Sequence, residues 1–265
     1  MLREWALYLG TPAPAHLRRL GYLRESVSLQ ARSRRCRTAW APHLAASRAV
    51  VRAAFADLRS RRRAVVLGSG LLDDVPLADL AAAFTQVVLV DAVHPWPARV
   101  RARRHANVAR ATIDLGGTGR WLLGEGPIES DPLAGACAGA DFVLSANLLS
   151  QLPILPIDRF ESRGLSVPPG LGAGIVAAHL AALDRLGARV CLITDIDARE
   201  EDRAGAVTDR LDLMHGIALP EAVHTWDWEL APFGEAARHR RLIHRVRAYP
   251  DWAAARCGSG SRAPT

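Results

Sequence analysis

A glycine turn and two carboxylates are the residues of this sequence whose spacing could do chemistry. The apolar run Ala64–Leu67 leads into Gly68-Ser69-Gly70, and a second apolar run, Val87–Val90, ends on Asp91, 23 residues after Gly68. That offset matches the roughly 20 residues between a nucleotide-binding glycine turn and the acid that holds a ribose. Glycine lets backbone approach a ligand that a Cβ would push away, and a carboxylate supplies the bidentate acceptor that two ribose hydroxyls ask for. A third run ends at Ile113-Asp114-Leu115-Gly116-Gly117, where Asp114 can accept a hydrogen bond from an exocyclic amine. The fourth, within "DFVLSANLLSQLP", places Ser145 and Asn147 at a pocket mouth. The third glycine of the dinucleotide fingerprint is missing, because Leu72 and Val75 occupy the positions open to it.

The elements that must hold these residues read as an α/β domain. Strand-length apolar runs at 64–67, 87–90, 108–113, 141–145 and 189–194 alternate with helical stretches at 76–84, 95–105, 133–138 and 171–186. Such alternation predicts βαβ units, a parallel sheet and three layers. The segments 222–230 and 240–249 have no helix between them and read as an antiparallel pair closing the sheet. Ahead of the sheet, Cys36, Trp40, Leu44, Ser47, Val51, Phe55 and Leu58 recur at three- and four-residue steps, one face of an amphipathic helix. Pro42 either kinks it or starts a second helix. Arg48, Arg52 and Arg59 lie on its other face. The expected organisation is a basic helical extension over residues 1–60 that acts as a lid with its arginines facing the entrance, the α/β domain over 61–252, and a flexible tail over 253–265.

Composition narrows the chemistry. The 265-residue chain has 34 basic residues, every one an arginine, so lysine Schiff bases and the phosphate loop that needs a lysine are excluded. Residues 1–63 carry 14 arginines against Glu4, Glu25 and Asp57, a balance of +11, so the remainder carries −4 of the net +7. A basic arm on an acidic body can recruit an anionic small molecule or nucleic acid, or it can be a solvated face paired with that body. Cys36, Cys137, Cys191 and Cys257 show neither paired nor zinc-like spacing, which fits reduced thiols in the cytoplasm. The apolar run at the N-terminus is too short for a signal peptide, and no window reaches the length of a membrane span.

In their order, "VVLGSG", "VVLVDAVH", "ARATIDLGG", "DFVLSANLLSQL" and "ARVCLITDID" resemble the class I S-adenosylmethionine-dependent methyltransferases over roughly residues 60 to 250. The resemblance implies a seven-stranded sheet with one antiparallel strand and S-adenosylmethionine as cofactor. It puts Gly68, Ser69 and Gly70 under the methionine part, Asp91 with Ala92 at the ribose, Asp114 with Leu115 at the adenine, and Ser145 with Asn147 in the loop after the fourth strand. Val66 stands where the family usually carries an acid, and Leu72 where a third glycine is common. Asp73 and Asp74 lie close enough to substitute for that acid. The segment "DFVLSANLL" is not the Asn/Asp-Pro-Pro-aromatic signature of amino-methylating enzymes. Methyl transfer asks mainly for alignment and sometimes a base; the candidate bases are His94, His43 and His224. The implied activity is methyl transfer to an unidentified acceptor, expected to be small, and the basic arm would favour an anionic one. Two alternatives share the fold: a catalytically silent binding or assembly protein, and an RNA methyltransferase.

Overall fold

A computed structural model describes residues 2–259, and the expected tail beyond residue 259 lies outside them. Four helices come first: α1 (Leu2–Gly10), α2 (Ala15–Leu20), α3 (Tyr22–Arg35) and α4 (Arg37–Ala56). Then follow β1 (Arg63–Leu67), α5 (Leu77–Ala83), β2 (Gln86–Asp91), α6 (Trp96–Ala102), β3 (Val108–Thr112), α7 (Gly119–Leu122), α8 (Ala134–Cys137) and β4 (Phe142–Ala146). The chain continues as α9 (Ile154–Glu161), α10 (Leu171–Asp184), β5 (Arg189–Asp202), β6 (Val207–Asp212), β7 (His224–Ala231), β8 (Arg240–Tyr249) and α11 (Trp252–Ser259).

The strands form one sheet in the order β3-β2-β1-β4-β5-β8-β7, with β6 added to the outer part of β5. β1 to β5 pair in parallel, and β8 runs antiparallel to both β5 and β7. The main path is thus the seven-stranded sheet with one reversed strand that the sequence implies. Alternation along the strands divides the core. Ala64 and Val66 face a layer built from α4, α5 and α6, while Val65 and Leu67 face α8, α10 and α11. Both faces are covered, so β1 after Arg63 and β4 apart from Ser145 read as apolar runs.

Several elements depart from expectation. β5 runs on to Asp202, because beyond the parallel sheet it pairs with β8 and β6 in place of ending at residue 194. β6 itself is exposed throughout and so lacked an apolar pattern. α7 and α9 are short connections that periodicity does not mark. Where a tail was expected from residue 253, α11 is anchored by buried Trp252, whose Nε1–H donates to Asp184 Oδ1 at 2.7 Å and whose ring meets Tyr249 edge-on at 5.2 Å. Pro42 sits inside α4 without ending it; the break between helices falls at Cys36. α4 is also part of the core: Trp40, Val51, Ala54 and Phe55 pack in one cluster with β1 and β4.

Candidate functional site

Register brings the carboxyl ends of the central strands level. Leu67 pairs with Val90 on one side and Ser145 on the other, Asp91 pairs with Thr112, and Ala146 pairs with Ile193. Gly68, Asp91, Asp114, Asn147 and Asp195 therefore share one edge, and strand order reverses between β1 and β4, where open α/β sheets bind ligands.

At the β1–β3 end of this edge, the glycine loop spends its donors inward. Gly68 N–H and Ser69 N–H donate to Val90 O at 3.0 and 3.3 Å, and Gly70 N–H donates to Asp91 Oδ2 at 2.7 Å. Gly68 has φ +71°, and a Cβ there would lie 2.9 Å from Leu148 Cβ, so only glycine lets the β1 and β4 loops meet. Leu72, at the place of the missing third glycine, takes φ +61°, with its side chain buried and its N–H donating to Ser69 O. The turn is thus kept without the residue that makes it easy.

Asp91 accepts from Gly70 and, at 3.3 Å through Oδ1, from Val93 N–H. Burial pushes its carboxyl above the usual range despite these bonds. A carboxylate has about four acceptor positions, so capacity for two hydroxyls remains. Asp114 accepts from Gly116 N–H at 3.2 Å and Gly119 N–H at 2.6 Å. It also accepts from Tyr22 Oη at 2.8 Å, which ties α3 to the end of β3. Farther along α3, Ser33 Oγ donates to Asp73 Oδ2 at 2.7 Å, so the helix crosses above the glycine loop.

The β4–β5 end is a network of side chains. Asn147, at φ +46°, puts Nδ2 3.0 Å from Asp74 Oδ2 and 3.2 Å from His43 Nε2. Trp226 Nε1–H donates to His43 Nδ1 at 3.1 Å, and Trp228 stacks on the imidazole at 4.0 Å. Burial lowers His43 to about 4, so the ring is neutral; Nδ1 accepts from Trp226, which leaves the proton on Nε2, facing the Asn147 amide. Beside it, His244 Nδ1–H donates to Asp195 Oδ2 at 2.5 Å, and Ser150 Oγ–H donates to Asp195 Oδ1. His244 Nε2 has no hydrogen-bond partner among the described residues. Burial alone would raise Asp195, but the hydrogen bonds from His244 and Ser150 hold it below the usual carboxylate range.

The sequence-derived residues fare differently. Gly68, Ser69, Gly70, Asp91 and Asn147 come together, with buried Ala92 beside them. Asp114 lies at the end of β3, and Leu115 packs into the core on the α10 side. Ser145 also faces α10, fully buried, with Oγ 3.1 Å from His179 Nε2, so it turns away from the mouth where it was expected. His94 is buried, and its Nε2–H donates to Ala111 O at 2.9 Å. His224 is exposed at the start of β7. His244 was missed because a lone histidine mid-strand carries no local signal; its partner Asp195 is 49 residues away. The arginines of α4 do not line the entrance: Arg48 donates to Asp73 O at 2.9 Å and Arg52 pairs with Asp79 at 2.9 Å.

Three buried polar atoms bear on what this sheet edge could hold. Ser69 Oγ beside Gly68 and Asn147 Oδ1 beside Asp74 are buried polar atoms without partners, as is Gln30 Oε1 on the α3 face that carries Ser33. Native interiors rarely leave such groups unpaired. A ligand with hydroxyl and amino groups would satisfy them.

No family model matches the chain, and no curated protein sequence matches it. Among solved structures, it is similar to a 1,6-didemethyltoxoflavin-N1-methyltransferase from Burkholderia thailandensis with bound S-adenosylhomocysteine, at 19% identity and a TM-score of 0.42 over 89% of this chain and 91% of that one. It is similar to the N-methyltransferase NodS from Bradyrhizobium japonicum, at 11% identity and a TM-score of 0.36 over 76% and 84%. A third is the glycopeptide N-methyltransferase MtfA in complex with S-adenosylmethionine, at 12% identity and a TM-score of 0.32 over 74% and 75%. Strand order and side-chain geometry, not these loose overlaps, carry the functional reading.

Proposed function

We propose that this chain is an S-adenosylmethionine-dependent methyltransferase acting on a small acceptor in the cytoplasm. The observation that carries the reading is the pairing of an inward-turned glycine loop with an underserved carboxylate. A dinucleotide needs loop N–H groups aimed at its diphosphate, whereas the N–H groups of Gly68, Ser69 and Gly70 are all spent on Val90 and Asp91. A nucleoside without phosphates needs only close backbone approach and an acceptor for its ribose, which Gly68 and Asp91 supply. The reversed β8 supports the same choice over an all-parallel dinucleotide sheet.

In this reading Asp91 and Ala92 hold the ribose, Asp114 and Leu115 border the adenine side, and Ser69 with Asn147 borders the methionine part. When bound, the cofactor supplies a sulfonium methyl that is already electrophilic. The protein's task is then alignment and proton removal. His43 spends its one acceptor nitrogen on Trp226 and has none to spare for that. His94 gives Nε2–H to Ala111 O and keeps Nδ1 without a hydrogen-bond partner among the described residues. His244 likewise keeps a lone pair: Asp195 fixes the proton on Nδ1, which leaves Nε2 to accept one. The lid is α1–α3, latched by Tyr22 on Asp114, rather than the whole extension to residue 60, because α4 belongs to the core. Among the described residues, no helix is long and apolar enough to cross a membrane.

A thermal-shift comparison tests the proposal. At a hundredfold over Kd, S-adenosylhomocysteine should stabilise the protein by about 2.7 kcal/mol, while NAD at the same concentration should not. The reverse ranking would transfer the site to dinucleotide chemistry.

A further inference from the structure

A cavity of about 810 Å3 opens between α1–α3 and α9, on the lid side of the molecule. Small-molecule sites commonly measure roughly 300–1,000 Å3. Its walls include Trp5 and Ile154, 65% and 51% exposed, with Leu20 and Leu155 between them. Four arginines line it against two carboxylates, Glu25 and Asp158. Three of the four are engaged: Arg18 donates to Ala13 O and Thr11 O, Arg19 pairs with Glu125, and Arg24 pairs with Glu25.

Arg159 is different. Among the described residues it has no hydrogen-bond or ion-pair partner, and its Nε is buried without an acceptor. Burial, together with the neighbouring cations Arg163 and Arg19, lowers its guanidinium pKa. A buried donor left unpaired is costly, and a guanidinium offers a planar fork that fits a carboxylate with two parallel bonds. We infer that this cavity binds a small molecule with an apolar body and a carboxylate, and that Arg159 receives the carboxylate. As the methyl acceptor's site it rests on the methyltransferase reading. As a binding site it rests on its own geometry. Leu20 and Gly21, on its wall, adjoin Tyr22 on Asp114, so an occupant would lie next to the candidate cofactor edge.

The test uses 2-naphthoate and its neutral amide as probes, titrated into the full chain by calorimetry. The wild type should bind naphthoate, and Arg159→Gln should weaken it about tenfold or more while leaving the amide unchanged. Equal naphthoate affinity in both proteins, or no saturable binding below about 10 mM, overturns the inference. S-adenosylhomocysteine titrated into the same two proteins separates the failures. If it binds both while naphthoate binds neither, the carboxylate site alone is wrong; if naphthoate discriminates but S-adenosylhomocysteine does not bind, the methyltransferase reading fails and the site stands.

Discussion

Asp91 and Asp195 sit on the same sheet edge, the first half-buried and the second buried, and their surroundings drive them in opposite directions. Asp195 receives Ser150 and His244, and these bonds outweigh burial and hold its carboxyl low. Asp91 receives two backbone N–H groups, and burial wins, so its carboxyl is held high. A carboxylate bonded to a histidine and a hydroxyl contributes to the fold. One that burial holds high despite two backbone donors is perturbed, and perturbed groups gather where ligands bind. The contrast separates the edge into a β1–β3 end whose carboxyl is perturbed by burial and a β4–β5 end bound together by side chains, with His244 Nε2, Asn147 Oδ1 and Trp228 Nε1 still unpaired among the described residues.

Stability measurements should sharpen that contrast. Asp195→Ala strands two buried donors and breaks a buried pair, so it should cost about 3–5 kcal/mol in denaturant unfolding, whereas Asp91→Ala, which frees two half-buried backbone N–H groups from a carboxyl that burial already disfavours, should cost about 1–2 kcal/mol. Equal losses would erase the distinction.

The buried histidines give the next effect. His43 and His179 are each lowered by burial to about 4. Because their folded values lie below the unfolded value near 6.5, the unfolded chain binds more protons between them. Their contribution is therefore complete above pH 6.5 and is lost as pH falls toward 4, by up to about 3 kcal/mol each. Replacing His179 with Gln should flatten the pH–stability slope across that window, and an unaltered slope would exclude it as a source.

The lid latch is smaller. Tyr22→Phe removes the Oη bond to Asp114 and should cost about 1–2 kcal/mol, with hydrogen exchange accelerated in α3 and unchanged in β1. Uniform acceleration would mean that α3 is part of the core and not a lid.

Much of the β1–β3 end was legible because it is written locally. An apolar run followed by Gly68-Ser69-Gly70, then a second run ending on Asp91, predicts strand, turn and acid without reference to distant residues. The closing pair β7–β8 was legible for the same reason, as two runs with no helix between them. The β4–β5 end was not. Its bonds join His43 to Trp226, Asn147 to His43 and Asp195 to His244 across 183, 104 and 49 residues, and no spacing rule links positions that meet only after the sheet forms. Ser145 was misjudged by one step of strand alternation, since Asn147 leaves the strand at positive φ while Ser145 still obeys it. The arginines of α4 face the acidic residues of the domain because charge balance says how many cations there are and not which carboxylates they meet.

The claim on which the rest depends is that Asp91 holds the ribose of an adenosine cofactor. Calorimetric titration of S-adenosylhomocysteine into the wild type and Asp91→Ala, with folding checked by circular dichroism, tests it directly. The account predicts saturable one-to-one binding to the wild type and a loss of roughly 2–4 kcal/mol in the variant, two charge-assisted hydrogen bonds being at stake. Wild-type protein that takes up no S-adenosylhomocysteine, or a folded variant that binds it as tightly as the wild type, would contradict the account.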